Sequence, residues 1–388
     1  MKKLIFFLLF VALFCSCSRL TNSNIVQVYE DENVINIDLS SAFSQEEFVV
    51  NDILEEIKII KLENTDSSLI GKINHVVFSD EYIYVHDNYQ NGSVIIFTKE
   101  GKFVKRLTKG NGPGEINIVT DITFNKKANQ LVVNQTNFIK KYTPDGTFID
   151  EYYIPFIIQN IISYNDDYLC SQLPSQNEEH KLSIICLDSL TNVKNTSFIN
   201  KDLIDYLSYN NFALGSDGSI NIIQPFNNMI FAYQDSSIVV KYKLNLGNNN
   251  FVPDAIVDIK TFEENFKEDQ YAFTGNYTET DNYQYYRVDK GDMSFYNIYY
   301  NKTTKKYRSG LKINFTLPEV LLGCGDYAGS YNNYFVRVFH PEVIPSQRFQ
   351  ETFDNIGIVT KTDADFIKTI TSNDNPVIVL YKLKDIQD

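Results

Sequence analysis

From residue 57 to residue 384 the chain is written in short apolar runs, separated by Gly, Asn, Asp and Pro. The runs are rich in Val, Ile, Phe and Tyr, the residues that suit a pleated, half-buried surface. Two stretches are copies of one another. VIIFTKEGKFVKRL begins at Val94 and FIKKYTPDGTFIDEY at Phe138, so that Phe97 aligns with Tyr142, Gly101 with Gly146 and Phe103 with Phe148. Each offset is 45. Both copies read as strand, tight turn, strand, and the Glu-Gly and Asp-Gly tips supply the positive φ that such hairpins need. Upstream of each lies another pair of runs, INHVVFS (73–79) with YIYVHD (82–87), and VTDITFN (119–125) with QLVVNQ (130–135). The repeating unit is therefore four short antiparallel strands, and a four-stranded unit of this period predicts a β-propeller blade.

Weaker copies fall within 161–199, 210–245, 271–313 and 320–384. The last has three strands, VLLGCG, NYFVRVF and PVIVLYKLK, and the unassigned IKIIKLE (57–63) is predicted to complete it. The expectation is an all-β fold: a six-bladed β-propeller of four-stranded antiparallel blades over 34–388, its ring closed by an N-terminal strand so that no sheet edge stays open. Insertions are expected at 246–270 and 340–375, the second with a short helix in HPEVIPSQRFQETFDNIG.

The first residues follow a different pattern. Met1-Lys2-Lys3 is basic and Leu4–Phe14 is continuously apolar, too short to span a bilayer but matched to a secretory signal. Ser16-Cys17 follows, a small residue before a cysteine, which looks like a bacterial lipobox. The expectation is a signal peptide over 1–16, lipidation of Cys17 and a polar tether over 17–33. Acyl chains there would hold the protein to a membrane, with an outer-membrane location expected and the facing side left open.

Composition narrows the function. Lys plus Arg is 35 against 49 Asp plus Glu, a formal charge of −14, which argues against a nucleic-acid partner. Trp is absent while Tyr numbers 26 and Phe 28. After processing, three cysteines remain (Cys170, Cys186 and Cys324), too few and odd for a disulfide framework. Cys170 and Cys186 lie in neighbouring runs; buried free thiols are favoured over a bridge.

The chain resembles the six-bladed β-propeller lipoproteins of Bacteroidetes. The resemblance rests on the lipobox, IKIIKLEN with SSLIGKI, YIYVHD, FTKEGKFVKRL followed by KGNGPGE, and the ending DNPVIVLYKLK. It implies the propeller fold and an envelope location, and the fold is similar to NHL-repeat propellers, which include binding modules and lyases.

Candidate chemistry is sparse. Gly110, Gly112, Pro113, Gly114 and Glu115 form a tight turn; it would present N–H groups to an anion, but an inter-blade turn with Glu115 bonding backbone amides is favoured. His75, His86, His180 and His340 show no metal-ligand spacing, and neither a metal nor a cofactor is expected. His75 and His86 fall on two strands of one blade, where packing or surface roles are favoured. No nucleophile elbow occurs, so no catalytic residue is assigned. Tyrosines crowd the fifth and sixth blades. Most are expected to pack, but Tyr285 and Tyr331, with His340 and Glu342 at the start of the long insertion, are candidate ligand contacts at the axial funnel. The preferred reading is a ligand-binding or scaffold lipoprotein taking a glycan or peptide. The alternatives are a propeller lyase or hydrolase with its site at the channel mouth, and a structural subunit of an outer-membrane complex.

Overall fold

Six antiparallel sheets stand around a common axis in the computed structural model. It describes residues 24–44, 47–49, 53–88, 92–173, 181–199, 210–234, 236–252, 264–314, 327–341 and 369–384. In each sheet the chain meanders from an innermost strand outward. Blade 1 runs Ile73–Phe78, Tyr82–Asp87, Ser93–Thr98 and Phe103–Arg106. Blade 2 runs Val119–Asn125, Gln130–Gln135, Phe138–Tyr142 and Phe148–Tyr153. Blades 3, 4 and 5 begin at Asn160–Tyr164, Phe212–Leu214 and Tyr271–Glu279. Among the described residues nearly all regular structure is strand, and no helix is long and apolar enough to cross a membrane.

Blade 6 is composite. Tyr327–Tyr331, Tyr334–Phe339 and Val377–Leu383 come from the end of the chain, and the outermost strand is Leu54–Lys61, antiparallel to Val377–Leu383 with Ile57 opposite Tyr381. Closure by an N-terminal strand is thus present. The innermost strand is Tyr327–Tyr331 rather than VLLGCG, which lies outside the described residues. The apolar run outranks YAGSY on pattern, but a strand whose edge faces the axis tolerates small and polar residues.

The middle strands explain the ring. Tyr82–Asp87 and Ser93–Thr98 are buried almost throughout, because each blade is covered on both faces by its neighbours. Apolar clusters fill the gaps between blades: Tyr84, Ile96, Ile122 and Leu131 between blades 1 and 2, and Val85, Phe97, Val336 and Leu380 between blades 6 and 1. Tyrosine replaces Trp as the large core residue. Tyr299 of blade 5 meets Phe335 of blade 6 edge-on, with centroids 6.0 Å apart, and Phe335 stacks on Tyr381 at 5.5 Å. The expected hairpin tips are there too, with Gly101 at φ +81°; a Cβ on it would stand 1.9 Å from the Lys61 carbonyl oxygen of the closing strand.

The segment before the closing strand departs from expectation. Residues 24–33, taken as part of a polar tether, pair with the ring. Asn24–Ile25 lies parallel to the outermost strand of blade 3, and Val28–Asp38 lies parallel to that of blade 4. Ala42–Ser44 then packs on blade 5, where Phe43 stacks on Tyr271 at 4.1 Å. Glu47–Val49 pairs with Lys312–Asn314 before the chain enters blade 6. The arm is a belt around the rims of blades 3, 4 and 5. Its polar side chains suit a strand with one solvated face, so hydropathy alone does not separate it from a tether.

Cys170 and Cys186 are free. Register explains why: Cys170 stands opposite Ile185 and Cys186 opposite Leu169, so the two thiols point to opposite faces of blade 3.

Candidate functional site

In an antiparallel meander, alternate connections leave opposite faces of the ring. Those joining first to second and third to fourth strands are all two to five residues long, for example 79–81, 165–166 and 302–306. Every longer connection leaves the other face: 62–72, 107–118, 154–159, 173–181, 200–211, 246–270, 315–326 and 340–376. One face is trimmed, and the other carries the long connections, which is where a rigid scaffold places recognition.

An axial cavity of about 620 Å³ runs between the innermost strands of all six blades, within the range of small-molecule sites. Each innermost strand runs from the long-loop face to the trimmed face. The early positions on the wall are polar, with Asn74, His75, Thr120, Asp121, Gln159, Asn160 and Asn210, and His340 stands at the same end. The late positions include the apolar or aromatic Phe78, Phe124, Leu214 and Tyr331, beside the hydroxyls of Ser163, Thr278 and Ser330. The cavity therefore has a polar half towards the long loops and an aromatic half towards the trimmed face. Phe78 and Tyr331 stack there at 4.4 Å.

The polar half contains one ion pair. His75 Nδ1 lies 2.7 Å from Asp121 Oδ1. The Ile122 N–H donates to the same oxygen and the Ile161 N–H to Asp121 Oδ2, both at 2.9 Å. Three blades thus converge on one carboxylate. With Nδ1 committed, His75 has Nε2 left for the cavity, and its side chain stays 20% exposed. Burial works against the imidazolium, but the charge and hydrogen bond of Asp121 outweigh it and hold His75 above the ordinary histidine value. The neighbouring His86 behaves oppositely: burial pushes it down to about 4.

Of the sequence-derived candidates, Tyr285, Tyr331 and His340 border this cavity. Tyr331 contributes to the aromatic half. Tyr285 is buried, and its hydroxyl donates to Asn297 Oδ1 at 2.8 Å. Cys17, Cys324, His180 and Glu342 lie outside the described residues. The turn Gly110–Glu115 opens on the long-loop face but does not line the cavity. The Gly112 N–H donates to Glu115 Oε2 at 2.8 Å, so the turn's own carboxylate stands where an anion would bind. Gly114, at φ +72°, lies against Phe148, where a Cβ would approach the ring to 2.7 Å. Asp121 escaped the sequence reading although it interrupts an apolar strand, VTDITFN, a placement that asks for a buried partner. Among the described residues no cluster of His, Cys, Asp or Glu is arranged to hold a metal.

Residues 34–382 match the family described as "Domain of unknown function (DUF4934)". The chain belongs to the DUF4934 family. No curated protein matches it. Among solved structures, this DUF4934 chain is similar to a "Putative exported protein" of Bacteroides fragilis, with TM-score 0.67, 16% identity, and coverage of 91% of this chain and 100% of that one. A weaker likeness links it to BamB of Moraxella catarrhalis, with TM-score 0.42, 11% identity, and coverage of 74% and 87%. These likenesses concern the fold.

Proposed function

We propose that this DUF4934 chain is an envelope-anchored lipoprotein whose propeller binds a glycan or peptide ligand in the axial cavity. The observation that carries the reading is the polarity of that cavity: its hydrogen-bonding half lies on the face from which every long connection leaves. A rigid ring with adaptable loops over a polar mouth suits recognition. The leader with Ser16-Cys17 supports the anchor, and the same-fold Bacteroides fragilis chain carries "exported" in its name. Glycan and peptide arrays probed with the full chain, beside Ser330→Trp, which fills the cavity wall, test the binding reading. Retention of a ligand by the protein and its loss in the folded variant are expected; silence on both arrays would sink it. For the anchor, labelling with a radioactive fatty acid is expected for the native chain and absent in Cys17→Ala.

The His75–Asp121 pair favours a second reading, in which His75 Nε2 exchanges a proton with a bound substrate, as in a propeller lyase or hydrolase. Product formation from an array-positive ligand, abolished in His75→Asn, would separate catalysis from binding.

A further inference from the structure

The wall chemistry says more about the ligand than its location. Asp121 is the one carboxylate among the described residues of the cavity wall, and both its oxygens already accept hydrogen bonds. His75 is tied to it, and Lys72 is exposed at the rim. A cation entering the polar half would find no unengaged carboxylate, and an anion would find a lysine only at the exposed rim, so neither gains a buried counter-charge for the hydration it loses. The rest of that half is carboxamide and hydroxyl. Two polar groups of the wall are orphaned: Asn276 Nδ2 and, further towards the trimmed face, Ser163 Oγ are buried without a hydrogen-bond partner, and both residues line the cavity. Buried polar atoms left unpaired cost about 1–3 kcal/mol each, so a ligand that engages them recovers that energy.

The missing partner must both donate and accept, because Asn276 Nδ2 offers hydrogens, Ser163 Oγ offers either, and His75 Nε2 changes role with protonation. A hydroxyl does both. The groups are spread around the axis on separate blades, which suits a compact, multiply hydroxylated ring. An extended peptide would instead want one row of backbone partners. Beyond them, the stacked Phe78 and Tyr331 rings offer an apolar surface for the C–H face of such a ring.

Resting on the axial-ligand reading above, we infer that the cavity is a site for a neutral sugar residue, with hydroxyls on His75 Nε2 and Asn276 Nδ2 towards the long loops and on Ser163 Oγ towards the trimmed face, and the ring against the aromatic wall. The test is isothermal titration of the full chain with D-glucose, D-galactose, N-acetyl-D-glucosamine and their trisaccharides, beside D-glucuronate and tri-alanine. Saturable binding of at least one neutral sugar, ahead of the uronate and the tripeptide, is expected. Asn276→Ala and His75→Asn should each weaken it about tenfold; the asparagine keeps a donor for Asp121 while deleting Nε2. Ser163→Ala, the mildest change, provides a variant that stays folded. Binding of glucuronate or tri-alanine alone, lost in Ser330→Trp, would overturn the sugar assignment while leaving the axial site intact. Sugar binding indifferent to all three wall variants would overturn the subsite. Silence from every probe, with the arrays also silent, overturns both readings.

Discussion

His75 and His86 stand opposite one another in register on the first two strands of blade 1, yet their proton affinities move in opposite directions. For His86 the folded value, about 4, lies below the unfolded 6.5. Its burial therefore leaves stability intact above pH 6.5 and lowers it as pH falls towards 4, by roughly 3 kcal/mol over those 2.5 units. His75 works the other way. Its pairing with Asp121 contributes fully below pH 6.5 and fades as pH rises through its elevated folded value. Urea midpoints measured across pH 4–8 are expected to fall on the acid side, and His86→Gln should flatten that limb. An unchanged acid limb in the variant would contradict the burial argument. Residue-level chemistry was the least legible in the sequence. His75 and Asp121 are 46 positions apart, about one blade period, so equivalent strands bring them together around the axis. Only a search for polar residues at the repeat spacing finds such a pair.

Blades are coupled by polar contacts as well as by apolar clusters. Glu279, at the end of the innermost strand of blade 5, is fully buried. It accepts from the Ser216 N–H at 2.7 Å, Asn221 Nδ2 at 3.1 Å and the Tyr277 hydroxyl at 2.8 Å. Lys241 and Lys302 lie 3.6 and 3.8 Å from it. Burial opposes its charge, but the two lysines and these donors hold its carboxyl below the ordinary value. Its contribution is thus present above pH 4.5 and lost in acid. Glu279→Ala takes this carboxylate from Lys302 and leaves Lys241 with Asp217, 3.0 Å away, and is expected to cost about 3 kcal/mol by chemical denaturation; a cost under 1 kcal/mol would show that the remaining partners suffice. The strands themselves were readable because their middle members are apolar on both faces and their tips need Gly. The belt was not, because a rim strand is solvated on one side and has no repeat to align with. Deleting residues 24–38 is expected to lower the melting temperature and, by baring the edges of blades 3 and 4, to produce higher-order species in light scattering. A monomer with native melting would show that the belt is dispensable.

For the molecule as a whole, the repeat period, the number of blades and the closing strand could all be read from the sequence. They follow from one local rule applied six times. The cavity could not, since its wall takes one short stretch from each blade, and none of these stretches is distinctive alone. Loop-length parity could have separated the two faces, because the insertions at 246–270 and 340–376 leave the same side as the turn at Gly110–Glu115.

Ring closure has a temporal consequence. Leu54–Lys61 is made more than three hundred residues before its partner Val377–Leu383, so the first blade waits for that strand before its neighbour is complete. Until then a nascent chain can form hairpins but cannot lock the ring. A stop codon placed just before Val377 removes the partner strand while sparing the strands of blades 1–5. It should nevertheless leave a product that trypsin degrades throughout rather than one trimmed at its end. Survival of a resistant core of five blades would show that the circle is not what holds the parts together.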